Sequence, residues 1–296
     1  MKNHRHAPKT NPTKAEPTKT ARVQTSLTKK SSIEELRQRV LADFATLRVP
    51  LSEQSLDEHL SRVEQEGLAP LEFLARVIGD EADRRRERAI ERRIKEARFP
   101  DVCTLADFDW QFNAETIDRT QIEQLASCDF LRRKDNLVLV GQSGLGKSKI
   151  VKAIGREACV AGYTVRYTTS GELFTELTAA LADQTLPKRI RFHCRFDLLI
   201  IDEFGFDRLE REACTQAASL LYKIIDTRGP QRSTALVTNV DFDAWSEYLG
   251  DPPLAMAVLD RIVDGAIVLK LTGKSYRAHR AKQLPAPAES AKPPKQ

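Results

Sequence analysis

The chain has 296 residues, 41% of them hydrophobic and 30% charged, ordinary proportions for a globular protein that exclude a collagen-like or wholly disordered one. No run of eighteen apolar residues occurs, and the first thirty residues lack an apolar stretch, so neither a membrane span nor a secretory signal is expected and the chain is read as cytoplasmic. Cys103, Cys128, Cys159, Cys194 and Cys214 stand far apart, with no CxxC pair and no Cys/His cluster of metal-ligand spacing, which points to reduced thiols.

The net charge of +5 is unevenly spread. Residues 1–30 carry +7, 84–98 carry +5 and 270–296 carry +6, whereas 31–83 and 99–269 carry −7 and −6. Positive charge gathered in two tails and one short segment suits a protein that holds a polyanion with appendages. The plain alternative is that Lys-rich tails keep the chain soluble.

Residues 1–31 are rich in Lys, Thr, Pro and Ser and nearly devoid of large apolar residues, so a disordered basic tail is expected, and the same holds for 283–296. A small helical domain is expected over 32–98. Ser32 and Glu35 form a capping box ahead of Ile33, Leu36, Val40, Phe44 and Leu47, with Pro50 as the stop. A second box, Ser55 to Glu58, opens a short helix that ends at Gly67. Pro70 starts a long third helix through the Arg-rich segment 84–98, whose Arg85, Arg88, Arg92 and Arg93 cover more than one face.

From Asn136 the texture becomes short apolar runs separated by helical stretches, the pattern of a parallel sheet covered by helices. The expected strands are Asn136–Val140, Thr164–Thr168, Leu198–Ile201, Thr234–Thr238 and Ala266–Leu271. Helices are expected at 147–161, 171–182 and 211–227, with a pair within 242–263. About twenty-five residues remain after the last strand, many of them tail, so no further compact helical domain is expected there.

The strongest motif is Gly141-Gln142-Ser143-Gly144-Leu145-Gly146-Lys147-Ser148, which matches G-x-x-x-x-G-K-[ST] directly after the strand NLVLV. Its glycines let the backbone wrap phosphates and point N–H groups at them, at the positive end of a helix. Lys147 would reach the β- and γ-phosphates of ATP, and the Ser148 hydroxyl would bind Mg²⁺. The apolar run before Asp202 delivers that acid to the C-terminal edge of the sheet, where ligands of open α/β sheets bind. Asp202 would assist Mg²⁺ and Glu203 would polarise the attacking water. Asn239 ends the next strand, Arg261 lies in the helix LAMAVLDRIV and Arg277 follows the last strand. Each arginine is a candidate for stabilising charge at the γ-phosphate, although most arginines are solvated surface residues and spacing alone favours that plainer reading. For Arg261 a pair with Asp260 or Asp264 is the local alternative.

The set GQSGLGKS, DLLIIDEFG, TALVTN, W-x-x-x-x-GDPPLA-x-A-x-LDR from Trp245 to Arg261, and SYR at 275–277 resembles the IstB-like ATPases, which belong with the DnaC-type helicase loaders among the AAA+ proteins. RFPDVCTLADFDW and the Arg-rich helix ahead of it are similar too, and the resemblance covers roughly 33–280. It implies an α/β P-loop NTPase of AAA+ type, with a five-stranded parallel sheet over 99–282, a small N-terminal helical domain and no C-terminal lid. It also implies a homo-oligomer that assembles on double-stranded DNA, selects a target and activates a companion transposase. Asn239 would then take the sensor-1 role, Arg261 the arginine-finger role and Arg277 the sensor-2 role. A helicase loader would carry the same ATP site. A P-loop kinase is argued against by the paired acids and the basic tail, and a scaffold that binds ATP without turnover stays open.

Overall fold

The computed structural model describes residues 19–205 and 216–283. Residues 1–18 and 284–296 of the expected tails, Cys214 and the start of the helix expected at 211 lie outside the described residues, whereas 19–31 and Gln283, expected to be disordered, are helical. The chain divides into two compact units between Arg86 and Glu87, inside a helix rather than at the 98/99 boundary the sequence suggested.

The first unit contains α1 (Lys19–Thr46), α2 (Glu53–Glu66) and the opening turns of α3 (Pro70–Ala97). Ser32 lies inside α1 rather than at its start, because the stretch from Lys19 to Thr46 contains no Gly or Pro to break it. The cap of α2 is Ser52, whose hydroxyl accepts from the Ser55 N–H at 3.1 Å, so Ser55 is likewise internal. Gly67, at φ 64°, closes α2 as expected. Pro70 opens α3, where a missing N–H costs nothing. At the other end of that helix, Arg98 at φ 59° and Pro100 stop it. Ile33, Leu36, Leu47, Leu71, Leu74 and Ile78, which suggested apolar helix faces, are all exposed.

The second unit is a five-stranded sheet. Its strands are β1 (Leu137–Val140), β2 (Val165–Thr169), β3 (Leu198–Phe204), β4 (Ser233–Thr238) and β5 (Ile267–Lys270). They pair in parallel in the order β2-β3-β4-β1-β5, which puts the strand before the P-loop between β4 and β5. All five expected strands are present, with no end shifted by more than three residues. α4 (Arg119–Ala126), α5 (Asp129–Arg133) and α6 (Lys147–Val160) contribute to the core on one face. α7 (Ser170–Ala182), α8 (Leu186–Cys194), α9 (Ala217–Arg228), α10 (Trp245–Leu249) and α11 (Pro252–Val263) contribute to the other. α12 (Tyr276–Gln283) follows β5.

Arg228 is fully buried at the end of α9, where its guanidinium donates to the carbonyls of His193, Phe196, Asp197 and Ser233 and to Thr234 Oγ1. These bonds fasten α9 to the starts of β3 and β4. Burial lowers its pKa to about 10. Cys103, Cys128, Cys159 and Cys194 are free, and burial raises Cys128 to about 11 and Cys159 to about 12, so both stay inert thiols. Among the described residues no helix is long and apolar enough to cross a membrane.

Candidate nucleotide site

β1 ends at Val140, the loop Gly141–Gly146 turns, and α6 begins at Lys147 with Gly146 as its cap at φ 89°. Two of the glycines are dictated by contact as well as by conformation. A Cβ on Gly141 would overlap the Leu271 carbonyl, and one on Gly144, at φ 85°, would overlap the Ser275 hydroxyl. Lys147 is 4% exposed and donates from Nζ to the carbonyls of Gly141 at 2.6 Å and Gln142 at 2.9 Å. Burial lowers its pKa, Asp202 opposes that shift and Arg277 adds to it.

Asp202 is 1% exposed and fully engaged. Oδ1 accepts from Ser148 Oγ at 3.1 Å and from the Glu203 N–H at 2.8 Å, and Oδ2 accepts from Tyr167 Oη at 2.8 Å. Tyr167 on β2 is thus the residue that holds the acid from behind. Burial, then the Asp202 charge, pushes its phenol well above the usual tyrosine value.

The neighbouring Glu203 is exposed because β3 bulges there. Ile201 pairs with Leu236 and Phe204 with Thr238, so three steps on β3 match two on β4. Glu203 takes φ 60° within the bulge. Phe204 returns to the core against Trp245 at 4.7 Å and Tyr248 at 5.0 Å, while Glu203 reaches the cavity instead of the interior. Gly205, at φ 91°, packs against Val240 and Asn239, which brings Asn239 to the same end of the sheet as the acids.

A cavity of about 590 Å³ lies over the loop, lined by Ser143–Lys149, Glu203, Arg277 and several residues the sequence reading did not single out. Those are chiefly Asp101, Phe108, Phe112, Lys152 and Arg280. Phe108 packs on Gly146, where a Cβ would meet its Cε2 at 2.9 Å, and Lys149 donates to the Asp107 carbonyl. Lys152 pairs with Asp101, and that hydrogen bond holds the Asp101 carboxyl below its ordinary value. The two walls are clasped together. Asn113 Nδ2 donates to the Lys274 carbonyl at 2.8 Å, Lys274 N–H returns a bond to Asn113 Oδ1 at 2.9 Å, and Thr116 Oγ1 donates to the Thr272 carbonyl at 2.7 Å. Phe112 meets Tyr276 edge-on at 5.0 Å. Asp118-x-x-Gln121, the cap of α4, was a readable helix signal in this region. The clasp itself joins residues 161 apart and has no local signature.

Arg261 lies elsewhere. Its Nε is 3.4 Å from Asp226 Oδ1 on α9, rather than from Asp260 or Asp264. Its carbonyl accepts from Asn136 Nδ2 at 3.4 Å. Asn136 precedes β1 and the P-loop follows β1, so the end of α11 sits at the opposite edge of the sheet from the cavity.

The family model for IstB-like ATP-binding proteins matches residues 42–284. The chain belongs to the IstB-like ATP-binding protein family. An insertion-sequence ATP-binding protein of Bacillus thuringiensis subsp. berliner (IS232) is 33% identical over 210 residues, 71% of this chain and 82% of the relative. Its counterpart from Pseudomonas aeruginosa (IS21) is 34% identical over 206 residues, 70% and 76% of the two chains. Among solved structures, DnaI is similar at a TM-score of 0.44 and 20% identity, over 57% of this chain and 91% of that one. In this IstB-like protein every cavity residue named above falls inside the matched span, and the five-stranded parallel sheet carries the P-loop at the end of β1.

Proposed function

We propose that this protein is a DNA-stimulated ATPase that acts as an oligomer and assists transposition of an insertion sequence, selecting the target and activating a companion transposase. The observation that carries the reading is the convergence of the P-loop, Lys147, the Ser148–Asp202 pair, Glu203 and Arg277 on one cavity in a chain of this family. The naming of the relatives as insertion-sequence proteins favours it over a helicase loader.

ATP enters with its phosphates against the loop N–H groups and the start of α6. Lys147 exchanges two carbonyl acceptors for phosphate oxygens, a stronger charge-assisted bond. Ser148 Oγ and Asp202 Oδ1, two oxygens 3.1 Å apart beside the loop, are a hard donor pair that fits Mg²⁺. Bound there, Mg²⁺ supplies neutralisation of phosphate charge. Glu203, held out by the bulge, orients water towards the γ-phosphate, and Asn239 supports that water from β4. Arg277 draws charge from the phosphates within the same subunit. Arg261, at the far edge of the sheet, serves the cavity of a neighbouring copy. Duplex DNA is held by the Arg-rich segment 84–98 and the basic ends of the chain.

The test is ATP turnover measured with and without duplex DNA. Lys147→Ala should lose ATP binding, and Glu203→Gln should bind ATP without turnover. If both hydrolyse ATP at the parent rate, the site assignment is wrong. Mixing Arg261→Ala with Lys147→Ala subunits should restore part of the activity. No recovery in proven co-assemblies would make Arg261 a structural residue.

A further inference from the structure

Away from the cavity, β2 carries an arginine between two core residues. Arg166 follows Val165 and precedes Tyr167, is 8% exposed, and has a buried Nε with no hydrogen-bond partner. A guanidinium held out of water in this way is costly unless something accepts from it. Its Cζ lies 5.4 Å from the centre of the Phe192 ring, and Arg195 stacks on the same ring at 4.6 Å. Burial, then the charge of nearby Arg98, lowers the Arg166 pKa. Two carboxylates act on this group, and both are committed to other partners. Glu172 caps α7 through Thr169 N–H at 3.3 Å and accepts from Thr168 Oγ1 at 3.4 Å. Glu176 is held by Arg189 at 3.1 Å and faces His193 at 3.3 Å.

The surroundings extend the charge. Residues 186–195 contain Lys188, Arg189, Arg191 and Arg195 and no acid, inside a 99–269 stretch whose net charge is −6. Arg98 and Arg195 are exposed, and β2 is an edge strand. α8 alone is nine residues, about 13 Å of helix, longer than a single phosphate requires.

We propose that Arg166 and Arg195, stacked on Phe192 at the β2 edge, form with nearby Arg98 a phosphate-binding notch that takes the sugar–phosphate backbone of nucleic acid. This rests on the DNA-binding reading above and adds a point of attachment on the ATPase unit itself. Phosphate contacts of this kind position a duplex without reading its sequence. The exposed pair supplies the approach, and the buried guanidinium supplies a fixed donor.

The experiment is fluorescence anisotropy of a labelled duplex against the full chain over a range of salt, with thermal melts as the folding control. Arg98→Gln and Arg195→Gln change exposed residues, and Arg166→Met fills the buried position without charge. Each should weaken duplex binding roughly tenfold. Each should also flatten the dependence of log affinity on log salt by about 0.9 for every phosphate that the variant no longer neutralises. Arg195→Lys should recover part of the affinity, and ATP binding should be unchanged throughout. If the parent binds duplex and the two exposed variants match it in affinity and salt slope, the notch is wrong while the DNA-binding reading stands. If the parent binds no duplex, both fail. A calorimetric titration with inorganic phosphate completes the set. Phosphate binding abolished in the variants while duplex binding is intact would assign the arginines to a small anion and overturn the nucleic-acid assignment.

Discussion

Replacing Tyr167 with Phe removes one oxygen from the interior and leaves the ring in place. That oxygen donates to Asp202 Oδ2 at 2.8 Å, between two residues that are both buried. The other carboxylate oxygen already takes Ser148 Oγ and the Glu203 N–H, so no donor on that side is free to move across. A hydrogen bond to a charged group contributes about 1.5–3 kcal/mol, and a buried acceptor left without one loses at least as much. The nucleotide-free variant should therefore unfold with about 2 kcal/mol less free energy at pH 7. The gap should also depend on pH, and its sign is fixed. The folded-state pKa of Tyr167 is raised by burial and by Asp202 from an ordinary value of 10.0. Its contribution is therefore complete below pH 10 and is lost as pH rises towards the folded value, at about 1.4 kcal/mol per pH unit. The Phe variant has no such loss, so the difference between the two proteins should narrow above pH 10. Urea unfolding followed through Trp110 and Trp245, from pH 7 to 11, measures both effects. Equal midpoints at pH 7, or a gap that does not change above pH 10, would refute the reasoning.

Three further outcomes follow from the same geometry. Glu203→Gly should raise stability by about 0.5–1 kcal/mol, because glycine adopts φ 60° without strain, while ATP turnover is lost; calorimetry and a phosphate-release assay read the two effects. Gly144→Ala should lower stability by about 1–3 kcal/mol and weaken ATP binding, since its methyl group would displace Ser275 at the start of α12; a thermal melt and a fluorescent-nucleotide titration check it. Asp226→Ala should change stability by less than about 1 kcal/mol, because the Asp226–Arg261 pair is half exposed, and denaturant midpoints will show whether Arg261 variants can be compared without a folding correction.

The sheet was legible because each strand is a short apolar run flanked by turn residues, and the buried faces of a parallel sheet leave little choice of assignment. The P-loop was legible for the same local reason. Its glycines, Lys147 and Ser148 are contiguous, and Asp202 follows directly from the run Leu198–Ile201. The role of Tyr167 was hidden because its bond to Asp202 crosses between strands 35 residues apart. The bulge at Glu203 shows only in the pairing of β3 with β4, which composition does not encode. Arg261 was placed in the right helix, but its partner Asp226 comes from another element, and sequence neighbours offered the wrong acids. At the N-terminal end the capping residues were misplaced, because a Ser followed by Glu three residues later also occurs inside a helix. The apolar spacing there promised a buried face, yet Leu71, Leu74 and Ile78 remain exposed.

The clasp between Asn113 and Lys274 bears on how the protein is made. One wall of the cavity is built from residues 101–117 and the other from 276–280, and the P-loop lies between them in the chain. A ribosome that has delivered the P-loop, Asp202, Glu203 and all five strands has still not delivered Tyr276, Arg277 or Arg280. The nascent chain at that point holds the phosphate loop and one wall of the cavity without the other. The cavity is thus complete only once the whole stretch from Asp101 to Arg280 has been synthesised and the Asn113–Lys274 clasp has closed.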